Sequence, residues 1–84
     1  MNVFSLEIVT PESEIFSGAV QSLSVPGMDG RFQVLYNHAP IISTLDKGTL
    51  KVVTETGETQ EFNVQGGVVE VMKNRAIVLV ERVL

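Results

Sequence analysis

The chain has no cysteine among its 84 residues. That excludes a disulfide framework, a thiolate nucleophile and a zinc–thiolate site, and it suits a reducing compartment. Basic residues are few: six Lys and Arg against ten Asp and Glu, for a net charge of −4. They are scattered singly, so no cationic stripe exists to follow a phosphate backbone, and nucleic-acid binding is disfavoured. Long apolar runs are also missing. None approaches the roughly 20 residues needed to span a bilayer. Met1 to Thr10 lacks both the basic start and the apolar core of a signal peptide. Any membrane association is therefore expected to come through a partner. No stretch keeps a helical period.

What is present is a hydrophobic content of 44% with valine prominent, which suits a pleated sheet. A single domain of this size buries roughly 60–65% of its unfolded surface, so its core is thin. Alternation marks the strands. Val3–Val9 places Phe4, Leu6 and Ile8 on one face, and Thr10-Pro11 ends it. Glu14–Phe16 is a short strand, and Ser17-Gly18 is expected to turn the chain into Ala19–Val25. There Val20 is out of phase with Leu23 and Val25, which a bulge between Val20 and Leu23 would resolve. Pro26 to Gly30 has turn chemistry. Phe32–Leu35, Ile41–Leu45 and Thr49–Thr54 follow, then a return strand through Gln60, Phe62 and Val64. Gly66-Gly67 interrupts it before Val68–Met72, Lys73-Asn74 is a two-residue turn, and Arg75–Val83 is last. The expectation is an all-β fold of about nine or ten short strands, a sandwich or flattened barrel. Val68–Met72 and Ala76–Val80 are apolar on both faces, so their outer face is expected to be covered by a sheet edge or another protein.

The densest signature lies in Gly30–Leu50, which holds the only histidine (His38) and the only tyrosine (Tyr36). A catalytic His38 would need an orienting partner and a nucleophile or metal. Asp29 and Asp46 flank it, but no metal-ligand spacing occurs. A loop-fixing hydrogen bond, or a surface for a partner, accounts for it better. Pro40 disfavours the α region for Ala39 and pre-sets the loop, which lowers the ordering cost of binding. The glycines at 27, 30, 66 and 67 lack the Lys-Ser/Thr of a phosphate loop and read as turns. Lys73 beside Met72 in a turn is similar to the modified lysine of biotinyl and lipoyl carrier domains. It lies near the chain's end and without a twofold repeat, so a solvated hairpin tip is the simpler reading. Glu70, in an apolar strand, lies either at a sheet edge or, the favoured reading, in a pair with a base such as Arg75 or Arg82.

Taken together, Gly30-x-Phe32-x-Val34-Leu35-x-Asn37-His38-Ala39-Pro40, Leu45-x-x-Gly48-x-Leu50 and Gly66-Gly67-x-x-Glu70-Val71 resemble the epsilon subunit of F-type ATP synthases. The opening Leu6-x-Ile8-Val9-Thr10-Pro11 and Phe16-Ser17-Gly18 match too, so the resemblance covers the whole chain. It implies a ten-stranded β-sandwich at the foot of the rotor stalk. That sandwich packs on the gamma subunit and rests on the polar loops of the membrane c-ring, coupling proton translocation to ATP synthesis. It implies no catalysis by this subunit, no cofactor, and a peripheral place on the cytoplasmic face of the bacterial inner membrane. It further implies that Thr10, Arg31, Tyr36, Asn37, His38, Ala39, Pro40 and Ser43 face gamma or the ring. The chain departs from the family at Gln33, usually glycine, at Tyr36, often proline, and at Arg31, often acidic or polar and facing the ring. Many members continue into a two-helix C-terminal domain that inhibits ATP hydrolysis. This chain stops at Leu84 and is expected to lack that inhibition.

Overall fold

The computed structural model describes residues 2–84. Among them every regular element is a strand: β1 (Phe4–Val9), β2 (Glu14–Gly27), β3 (Gly30–Val34), β4 (Ile41–Leu45), β5 (Gly48–Thr54), β6 (Thr59–Met72) and β7 (Arg75–Val83). The all-β expectation holds, and the correction concerns the count. Seven continuous strands replace nine or ten short ones, because β2 and β6 each run for 14 residues through stretches with turn chemistry. Ser17 and Gly18 stay extended because β1 pairs across them, Glu7 opposite Ser17 and Leu6 opposite Gly18. Pro26 and Gly27 likewise belong to β2, paired with Arg31 and Gly30. At Gly66-Gly67 the backbone takes positive φ of 65° and 144°, yet the ladder to β7 runs on from Gln65–Arg82 to Gly67–Val80.

These two long strands build the sandwich, because each changes neighbours along its length. β2 pairs with β1 over its first half and with β3 over its last residues, while β5 lies on its other edge. β6 takes β5 and then β4 along one edge and β7 along the other. β7 closes the circuit through a parallel pairing with β1, Ser5 opposite Arg75 through Val9 opposite Leu79. One layer is β3, the end of β2, β5 and the start of β6. The other is β4, the end of β6, β7, β1 and the start of β2. The register between β2 and β5 shifts between Val20 and Ser22, so the expected bulge is there and Gln21 is its extra residue.

Between the layers lie Phe4, Leu6, Ile8, Val20, Leu23, Val25, Val34, Leu45, Leu50, Val52, Val64, Val69, Val71, Ala76, Val78 and Val80, all buried. Each fully buried Val, Leu or Ile contributes about 1.5–3 kcal/mol relative to exposure. Phe16 and Phe62 pack edge-to-face against this core, with ring centroids 6.3 Å apart. No buried polar or charged side chain occurs among the described residues.

Candidate functional site

The two layers present different outer faces, and register fixes which residues lie on each. On the layer holding β3, β2 and β5, the row Gln33, Ser24, Lys51, Glu61 runs across four strands. That face is polar. Arg31 lies over it, and its Nη2 donates to the Thr49 carbonyl at 2.6 Å. On the other layer, one row is Thr44, Val68, Leu79, Val9 and the next is Ile42, Glu70, Ile77, Glu7. Ile42 is 71% exposed, Leu79 53% and Met72 51%. The expected surplus apolar face is thus real and open to solvent. Single exposed hydrophobics are ordinary, but a contiguous set on one sheet marks an interaction surface. Glu70 points out among these side chains. Its expected ion pair does not form; Arg82 instead donates to Gln65 Oε1 at 3.1 Å.

The loop between β3 and β4 sits at one end of this apolar face. The His38 amide donates to the Leu35 carbonyl at 3.1 Å, closing a turn. Asn37 takes φ of 65° within it, a conformation asparagine tolerates. His38 Nδ1 lies 2.6 Å from its neighbour's carbonyl oxygen, that of Ala39. With Asp29, Arg31 and Ser43, His38 lines one open depression between β3 and β4. Tyr36 is 41% exposed, and Ala39 and Pro40 are exposed. Ser43 projects from the inner side of β4, like Ile41 and Leu45, rather than onto the apolar outer face, because it pairs with buried Val69.

Thr10 is placed elsewhere. β1 starts beside the β6–β7 turn, where the Ser5 amide donates to the Asn74 carbonyl, and ends at Val9, with Thr10 just beyond it in a depression shared with Gly67 and Glu81. The length of a strand therefore separates Thr10 from the 36–40 loop. Its Oγ1 accepts from the amides of Glu12 and Ser13 at 3.3 and 3.1 Å, fixing the β1–β2 turn. The structure joins Arg31, His38 and Ser43 in one depression and sets Tyr36, Asn37, Ala39 and Pro40 beside it.

One residue the sequence reading noted only as a turn former belongs to this end. Asn74 and Lys73 occupy the β6–β7 hairpin tip with φ of 61° and 50°, both positive as a type I′ turn requires. The Asn74 side chain accepts from the Asn37 amide at 2.7 Å and donates to Asn37 Oδ1 at 3.0 Å. The available signal was a second asparagine at a left-handed turn position.

Comparisons with known proteins agree with this architecture. The model of the family described as ATP synthase, Delta/Epsilon chain, beta-sandwich domain matches residues 3–84. The ATP synthase epsilon chain of Chlorobium limicola is 41% identical over 80 residues, covering 95% of this chain and 91% of that one. The epsilon chain of Desulfatibacillum aliphaticivorans is 42% identical over 76 residues, covering 90% of this chain but 54% of its own length. A chain of the Euglena gracilis mitochondrial ATP synthase, determined with OSCP, F1 and c-ring, superposes over 100% of this chain. It covers 54% of its own length, with a TM-score of 0.93 at 19% identity. A central stalk and c-ring structure from Tetrahymena thermophila contains a chain that aligns over 95% of this one and 64% of its own length, with a TM-score of 0.79 at 20% identity. Lys73 lies within the residues that the family model matches. The chain belongs to the ATP synthase delta/epsilon β-sandwich family, and its relatives are ATP synthase epsilon chains.

Proposed function

We propose that this chain is a non-catalytic rotor subunit that links gamma to the polar loops of the c-ring and so couples proton translocation to ATP synthesis. The observation that carries this reading is the asymmetry of the sandwich. One outer face is apolar through Ile42, Val68, Ile77 and Leu79; the other is polar through Ser24, Gln33 and Lys51. A lasting stalk contact needs an apolar centre with a polar rim, which the β4–β6–β7–β1 face offers to gamma. A ring surface of polar loops is better met by polar groups, which the Arg31 side of the molecule offers. The contact set is then Arg31 towards the ring, with Tyr36, Asn37, His38, Ala39, Pro40 and Ser43 at the junction of ring and gamma. Thr10 lies at the far end of the gamma-facing sheet. Membrane attachment runs through the complex, on the cytoplasmic face of the bacterial inner membrane.

Reconstitution tests this. Added to a complex stripped of its epsilon chain, the 84-residue polypeptide is expected to restore proton-coupled ATP synthesis. Coupling left unrestored contradicts the reading.

A further inference from the structure

We infer that Asn74 is a positioning residue for docking, a latch that holds the Tyr36–Pro40 loop in its binding geometry from the neighbouring β6–β7 hairpin tip; this rests on the docking reading above. Three segments meet at this one side chain and its backbone. The Asn74 carbonyl accepts from Ser5 at the start of β1 at 3.0 Å. Its Oδ1 accepts from the Asn37 amide at 2.7 Å, and its Nδ2 donates to Asn37 Oδ1 at 3.0 Å. The two asparagines are 37 positions apart in sequence and both hold left-handed backbone. Within its own loop, Asn37 is held by the Leu35–His38 turn alone, and β3 ends at Val34 before that turn. The sheet joins the two segments only from Ile41 opposite Val71 onward, and the latch adds a tie between the turns themselves. It makes the 36–40 loop and the 73–74 hairpin tip one rigid end, beside the exposed Met72 and Ile42. Pre-ordering of that kind lowers the entropy lost on binding, and reciprocal side-chain and main-chain bonds supply it where neither loop is packed in the core.

The chain carries its own probe for the test. Tyr36 is its only tyrosine and it has no tryptophan, so intrinsic fluorescence reports on this loop alone. Asn74→Gly keeps the left-handed turn, which glycine adopts freely, and removes only the latch. It is expected to melt near the parent temperature, to lower the anisotropy of Tyr36 and to speed exchange of the Asn37 amide. Affinity for purified gamma should fall roughly 3- to 10-fold, the span of one or two exposed hydrogen bonds. Asn74→Asp keeps an acceptor for the Asn37 amide and should recover part of the loss; it also carries the test if the glycine variant folds poorly. Unchanged Tyr36 anisotropy and Asn37 exchange in Asn74→Gly overturn the latch. A loosened loop with parental gamma affinity overturns its positioning role. His38→Ala separates the two readings. It should leave the chain folded and weaken gamma binding, and if it binds like the parent, the docking reading of the loop is what fails.

Discussion

Val69 sits between the layers with no exposed surface, paired with Ser43 on β4 and Val78 on β7. Among the described residues no buried polar or charged side chain stands ready to receive a carboxylate. Val69→Asp would bury an unpaired charge or force the strand out of register. The expected cost exceeds about 4 kcal/mol, against a total of about 5–10 kcal/mol for a domain this small. The variant should therefore be unfolded or aggregated by circular dichroism at 25 °C; a native melting curve contradicts the placement of the core. At the same scale, residue type alone said little about role. Thr10 is a contact residue by resemblance, and nothing in its residue type announced that its hydroxyl also builds the β1–β2 turn. Asn74 looks like a turn former, and its side chain reaches a loop 37 positions away. Period-2 patterns carry no information about such tertiary pairs.

Among the elements, β6 is the one whose local chemistry most depends on a single atom's absence. A Cβ on Gly67 would collide with the Leu79 carbonyl oxygen, and φ of 144° is closed to other residues. That close approach lets β6 pass from the layer it shares with β5 to the layer it shares with β7. Gly67→Ala is expected to cost about 2 kcal/mol or more, a fall in Tm of about 10 °C. Gly18→Ala on β2 meets only the Phe16 ring at 3.7 Å, an ordinary contact, and should change Tm little. Equal effects at the two sites would contradict the account of β6. Gly-Gly was visible in the sequence as a special point, and the out-of-phase Val20 correctly announced the bulge at Gln21. Continuity through Ser17-Gly18 and Gly66-Gly67 was not visible. Pairing with β1 holds Ser17-Gly18 extended against their turn preference, and pairing with β7 carries the ladder past Gly66-Gly67 despite their positive φ; such pairing is set by parts of the chain remote in sequence.

For the whole molecule, the apolar doubling of Val68–Met72 and Ala76–Val80 was legible as a face needing cover. Which layer carries it emerges only when register aligns Ile42, Val68, Leu79 and Val9 on one sheet. The central claim is that this face meets gamma while the polar face does not. The absence of native cysteine makes a direct measurement available: single-cysteine variants Leu79→Cys and Ser24→Cys, each carrying a short photo-activated cross-linker, in the assembled ATP synthase. The account predicts a gamma cross-link from position 79 and none from position 24; a gamma product from position 24 with none from position 79 would contradict it.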